Sequence, residues 1–290
     1  MVRQWLFAWS SLLAVGMSAQ PLIDLLGANV LVSENLDRTE FSATLPLQLD
    51  TVGQLLVIDP YWVQWRTVTA GDRYAPMSDG NVNERMQGAG GALTYVTPFG
   101  KRWKLAVAGI GRYHWLGEQR HGDIQYGGVL LASRVCKPNL TLRTGVYINH
   151  DAFGWFVMPL VGVDWRLDAK TNLYGVLPGS MNLERKSAPW FHWGLSFRAY
   201  TSSFGVRDGD YRRINENPLG LYGDLYITRT IVLRAEAGWC FFRQVLGGPG
   251  DPLYTNEESH LRRYADHAVV DAPYVRILLA YRLRLDSKLP

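Results

Sequence analysis

The sequence predicts an all-β chain: a single antiparallel transmembrane β-barrel of about 12–14 strands, with short periplasmic turns and longer extracellular loops. Three observations carry this expectation. The first is the stretch from Trp155 to Trp165. Taken every second residue, one face reads Trp155, Val157, Pro159, Val161, Val163, Trp165, while Asp164 and Arg166 belong to the other. At roughly 3.3 Å per residue the two indoles stand about 33 Å apart along a strand. A barrel tilt of roughly 40° projects that to about 25 Å, the height of a lipid-facing band. An indole has an apolar body and one N–H, so it favours the headgroup level at either edge of such a band. Taken alone, the stretch fits a core strand of a soluble sandwich equally well.

The second observation is composition. Trp 11, Tyr 15 and Phe 10 accompany only 19% charged residues, yet mean hydropathy is -0.09. Such a balance arises when apolar and polar residues alternate. The third is the spacing of connections. Tight turns at 50–53, 98–101, 137–139, 168–171, 187–189 and 228–230 alternate with longer segments at 68–85, 116–122, 203–217 and 245–268. The 149–154 and 177–180 connections are the short exceptions on that second side. One-sided loop length is a property of outer-membrane barrels and has no counterpart in sandwiches.

Taken in order, the chain opens with the pattern of a secretory signal. Arg3 gives the positive end, Leu6 to Val15 the apolar run, and Gly16 to Ala19 the small-residue exit. Residues 1–19 are therefore expected to be a signal peptide, and 20–290 an outer-membrane β-barrel. After Ala19, no run approaches the roughly 20 apolar residues of a membrane helix. Gln20 to Leu36 is weakly patterned, either a first strand or a segment tucked into the barrel. Phe41, Ala43, Leu45, Leu47 and Leu49 then share one face, opposite Glu40, Ser42, Thr44 and Gln48. Leu55 to Arg66 is a strand in which Asp59-Pro60 is expected to make a bulge or kink. Met86 to Thr97 is Gly-rich; Gly88, Gly90 and Gly91 have no helix after them and are strand glycines, not a phosphate loop.

Trp103 to Trp115 and Leu140 to Asn149 alternate clearly, and residues 123–135 form a strand whose facing the pattern leaves open. Around Leu177-Pro178-Gly179-Ser180 the Pro-Gly pair is a strong turn signal. Two short strands or one long kinked strand fit there. Phe191, Trp193, Leu195, Phe197 and Ala199 oppose His192, Ser196 and Arg198 in the cleanest alternation of the chain. Strands at 221–227, 231–241 and 275–285 complete the set, with a helical turn or two conceivable at 257–267. The count is about 14 if both doubtful segments are strands, and about 12 if neither is. An even count places both termini on the periplasmic side. Cys136 and Cys240 are expected to be unpaired thiols near opposite rims. The formal charge of +4 is modest and no basic run is dense enough for nucleic acid.

The run PLVGVDWRLDAKTNLYGVLPGSMNLERKSAPWFHWGLSFRAYTSS, beginning at Pro159, resembles an uncharacterised (domain of unknown function) family of Bacteroidetes-type outer-membrane β-barrel proteins. The pieces that carry the resemblance are the GVDW strand end, the NLYGVLPGSMNLERK hairpin and the FRAYT strand. The resemblance implies fold and location, and no catalytic residues. The C-terminus departs from the terminal aromatic common in such barrels, since the chain ends Lys288-Leu289-Pro290.

Function is read from the two faces. The candidate lumen lining is Arg112, Arg143, Arg198, Arg234, Glu236 and Arg276, joined by Arg282, with Asp164 and Asp224 as partners. Such a ring either favours anions in a pore or packs the lumen with paired charges; the second reading is the preferred one. Inward Tyr147, Tyr222 and Tyr226 narrow it further. The candidate aromatic girdle is Trp103, Trp115, Trp155, Trp165, Trp193 and Trp239. No metal or cofactor pattern is present in the sequence. A hydrolase reading would draw on His114, His121, His150, Asp151, Ser202 and Ser203, and it is the weakest of the three. The leading expectation is a cell-outer-membrane barrel acting as a passive pore for small solutes. The alternative is a non-conducting structural or surface-binding barrel that works through its extracellular loops. Its expected partners are outer-membrane lipid and the outer-membrane assembly machinery.

Overall fold

The structure, a computed structural model, describes residues 21–34, 36–50, 53–67, 85–117, 122–205, 210–249, 262–263 and 271–285. The expected signal segment 1–19 and most of the 68–85 and 245–268 loops lie outside them. Strands run in chain order, each antiparallel to the next. They are β1 (Leu22–Ser33), β2 (Leu36–Ala43 continuing as Leu45–Gln48), β3 (Leu55–Thr67), β4 (Arg85–Phe99), β5 (Trp103–Leu116), β6 (Gly122–Lys137) and β7 (Leu140–Asp151). Then follow β8 (Gly154–Arg166), β9 (Thr171–Leu177), β10 (Ser180–Ala188), β11 (Phe191–Arg198 continuing as Tyr200–Gly205), β12 (Asp210–Tyr226), β13 (Ile231–Pro249) and β14 (Ala272–Arg284). Arg262–Arg263 adds a short pairing to the end of β13. β14 pairs back onto β1 from Leu22↔Arg284 to Ser33↔Tyr274, so the 14 strands close into a barrel. Closure gives every strand a partner on each side over part of its length, and the paired residues meet their backbone hydrogen bonds without water.

Both segments left open by the sequence are strands: Gln20 to Leu36 supplies β1, and the Pro-Gly stretch is the β9–β10 hairpin. Other expectations are corrected. Asp59-Pro60 makes no bulge, because β3 pairs with β4 in unbroken register from Leu55↔Val96 to Arg66↔Arg85. Pro60 has no N–H to donate, and the ladder on its other side simply skips the residues between Ser42 and Leu45. Register shifts occur elsewhere, at Asp24/Leu26, Val135/Lys137, Lys186/Ala188 and Asn215/Asn217.

The loop expected at 203–217 is mostly strand: Tyr200 to Gly205 pairs with Glu216 to Tyr211. The loop expected at 245–268 begins later, because β13 runs to Pro249. Within 257–267, where a helical turn was conceivable, Arg262–Arg263 is extended. The connection expected at 116–122 stands, with β5 ending at Leu116 and β6 starting at Gly122. Cys136, beside the 138–139 turn, and Cys240, near the other end, are both free thiols.

Candidate functional site: the barrel interior

The two faces of the wall differ in chemistry. On the outside, Val161 is 64% exposed and Leu221 61%, and aliphatic side chains recur at alternate positions from strand to strand. On the inside, Arg276, Arg282, Glu184, Asp224 and Glu236 are buried. A soluble sandwich would show the reverse. Trp103, Trp155, Trp165, Trp193 and Trp239 are all outward and 40–44% exposed. Trp103, Trp165 and Trp193 sit beside the tight turns at one end, and Trp155 and Trp239 lie toward the other. Trp115 is half-buried and stacks on Tyr113 with ring centroids 5.7 Å apart.

Of the arginines named as candidate lumen lining, Arg234, Arg276 and Arg282 are buried and Arg112, Arg143 and Arg198 are half-buried, and most stand against carboxylates. Arg234 grips Asp224 with two bonds of 2.6 and 2.7 Å. Arg282 reaches the same Asp224 at 2.6 Å and Asp24 of β1 at 2.5 Å. Arg276 donates to Glu236 at 2.5 Å, and the Tyr274 hydroxyl donates to that carboxylate at 2.6 Å. Arg143 pairs with Asp164. Arg112 binds the Tyr147 hydroxyl and lies 4.0 Å from Asp151. Arg198 is half-buried, with Glu236 and Glu40 among its charged neighbours. Bidentate Arg–carboxylate bonds are the strong class, and removing one partner of a buried pair is costly.

The sequence did not single out four further pairings. Arg284 crosses from β14 to β10 and holds Glu184 through bonds of 2.9 and 2.8 Å, with the Tyr226 hydroxyl at 2.7 Å. Arg243 lies 3.2 Å from Glu216. Arg38 pairs with Glu40 on its own strand. Asp24 meets Arg282 across the seam. The alternation rule already put Glu40 opposite Phe41. What it lacks is the distance between strands far apart in the chain.

This packing is one-sided. From β9 to β14 the inward positions at Glu184, His192, Ser196, Tyr222, Asp224, Arg234 and Arg276 are all buried. At Gly220 a Cβ would come within 2.4 Å of the Tyr274 hydroxyl, so this wall has no room for even a methyl group. From β4 to β6 a run of inward positions is small or apolar and half-exposed, Ala92, Thr94, Ala106, Ala108, Val129 and Leu131, while Lys104 and Arg112 on the same face are charged and Met86, His114 and Gln125 are buried. Accessible space inside the barrel therefore hugs β4–β6.

One end of that space is covered. β9 and β10 are short, so the upper halves of β8 and β11 share no neighbour. There β11 and β12 continue as a hairpin that crosses the interior to β5 and β6. Phe204 and Ile214 from the hairpin pack with Leu36, Val63, Trp65, Met86 and Val245 in a buried apolar cluster. The Ser203 carbonyl accepts from His114 Nδ1 and from Gln125 Nε2, both at 2.8 Å. The Ser203 hydroxyl accepts from the Ala152 amide at 3.1 Å. Tyr211 lies against Phe153, centroids 5.9 Å apart. Below the hairpin is a cavity of about 330 Å³ bounded by β2, β3, β4, β5 and Ser202.

The described residues of the hydrolase reading are engaged in other contacts. His114 bonds the backbone of Ser203, whose hydroxyl serves Gln125 and Ala152. His150 stacks on Tyr126 and meets Trp155 edge-on. Asp151 accepts from Asn149 at 2.6 Å. His121 lies outside the described residues. Among the described residues no group of His, Cys, Asp and Glu is arranged to hold a metal ion.

Several solved structures are similar in outline. A NanC porin structure is 9% identical with a TM-score of 0.39, covering 89% of this chain and 100% of that one. The Pseudomonas putida toluene transporter TodX is 8% identical with a TM-score of 0.42, over 93% of this chain and 91% of that one. A TodX deltaS2S3 mutant, a monoaromatic hydrocarbon channel, reaches a TM-score of 0.45 at 9% identity, over 89% of each chain. The barrel assignment rests on the β1–β14 ladder and not on these likenesses. No curated protein sequence matches the chain. A family profile described as a domain of unknown function, DUF6268, matches residues 63–248, more than half of the sequence, and the chain belongs to that family.

Proposed function

We propose that this protein is an outer-membrane barrel, exported by its N-terminal signal, that passes small solutes along the β4–β6 side of its lumen. The observation that carries the proposal is the asymmetry of the interior. One wall is filled with buried ion pairs, while the other keeps a run of small or apolar, half-exposed residues between Lys104 and Arg112. The apolar exterior with indoles toward both ends supports placement in a lipid bilayer. The role is transport and not catalysis, since the candidate nucleophile and base are committed to structural bonds. Lipid and the barrel-assembly machinery are its expected partners.

The hairpin of β11 and β12 favours a second reading, a barrel that does not conduct at rest. Purified protein in planar bilayers decides between them. Steady single-channel steps in KCl support the pore; a flat trace from protein that migrates as a folded, heat-modifiable barrel removes it. Retention in the membrane pellet after alkaline carbonate tests the location separately.

A further inference from the structure

The cavity beneath the hairpin is lined by two paired arginines that keep unbonded N–H groups and by one carboxylate that has no cation in contact among the described residues. Arg38 on β2 is 6% exposed, and its Nε and Nη1 have no hydrogen-bond partner among the described residues. Its Nη2 is spent on Glu40, and its guanidinium lies 3.7 Å over the Tyr200 ring. Arg112 on β5 gives Nη2 to Tyr147 and leaves Nε without a partner. Across the same space stands Asp59 on β3, which has no cation in ion-pair contact among the described residues. Val63, Ala92 and Ile110 form the apolar part of the lining.

Buried N–H groups without acceptors are uncommon because each forfeits a hydrogen bond to water. Here both arginines that carry them line a cavity of about 330 Å³. At roughly 30 Å³ per water, that is room for about ten waters, or one small organic molecule. An anion alone would face Asp59 and Glu40. A cation alone would face two guanidiniums. A molecule with a carboxylate at one end and an ammonium at the other meets both demands, since guanidinium N–H groups match carboxylate oxygens.

We propose that this cavity binds a small zwitterion, its carboxylate held by Arg38 and Arg112 and its ammonium by Asp59. The site rests on the reading of the lumen as solute-accessible, but its occupancy can be measured without any current. The test is calorimetric titration of the folded, detergent-solubilised barrel with 4-aminobutyrate, against butyrate, butylamine and butyramide at matched ionic strength. Saturable heat is expected with 4-aminobutyrate, and at least tenfold weaker binding with the three controls.

Asp59→Asn is expected to bring 4-aminobutyrate down to the level of butyrate. Arg112→Lys is expected to weaken 4-aminobutyrate and butyrate together. Both variants are checked for heat-modifiable migration, and Arg112→Lys covers the case in which Asp59→Asn fails to fold. Equal binding of butyrate and 4-aminobutyrate, unchanged binding in both folded variants, or no saturable heat overturns the site. Current in KCl without zwitterion binding removes this site and leaves the pore; binding without current removes the pore and leaves the site.

Discussion

Arg276 on β14 stands directly opposite Glu236 on β13, its Nη2 2.5 Å from Glu236 Oε2, and both side chains are 1% exposed. Neither charge can turn to water. Glu236→Gln leaves a buried guanidinium short of its counter-charge, with Arg198 and Arg234 nearby. The expected cost is about 3–5 kcal/mol, the range for breaking a buried pair. Urea unfolding of the barrel in lipid vesicles measures it. Replacing both residues by Met is expected to recover most of that loss, because the desolvation of both ions disappears with them.

Phe204 is one of the hairpin cap's anchors. Phe204 is fully buried among Leu36, Trp65 and Met86. Phe204→Ala is expected to weaken that anchorage by about 3–5 kcal/mol. Single-channel conductance should rise relative to the parent protein, and Ile214→Ala should act in the same direction. Unchanged conductance in both would mean that the hairpin does not restrict the path.

Val161 lies between the two indoles of β8 and is the most exposed residue of that strand's aliphatic face. Val161→Arg places a cation near the middle of the apolar band, at an expected cost of about 2–4 kcal/mol. Val161→Leu should cost nothing measurable. The fraction of protein that folds into vesicles, read from heat-modifiable migration, separates the two.

Asp168 closes the β8–β9 turn. Its Oδ1 accepts the Lys170 and Thr171 amides at 2.6 and 2.8 Å, and these bonds hold its carboxyl below the usual carboxylate range. A pKa lower in the folded state gives stability that is complete above the unfolded pKa and is lost as pH falls through the folded one. The stability gap between the parent and Asp168→Ala should therefore be full at neutral pH and shrink in acid. Vesicle unfolding at a series of pH values checks it.

Period-two alternation was enough to read most of this barrel. It placed Trp155 and Trp165 outside, and Arg234, Asp224 and Arg276 inside, because lipid and lumen impose opposite polarity on neighbouring residues. The same rule failed at residues 200–217. There Phe204 and Ile214 are apolar and point inward, while Arg212 and Glu216 are charged and buried beside them. A strand pair that enters the lumen has no lipid side, so its pattern reads as polar loop. The cavity was invisible for a different reason. Arg38, Asp59 and Arg112 sit on three strands, and nothing in a linear text says that their open sides face one space.

The meeting of Asp24 and Arg282 joins side chains 258 residues apart, on the first and last strands of the cylinder. That contact closes the longest loop in the topology, and the entropic cost of closure grows with loop length. Arg282 also holds Asp224, so the clasp ties the final strand to two carboxylates at once. A chain that stops short of Arg282 loses the latch as well as part of a stave, and its two free margins would be left as open templates for other chains.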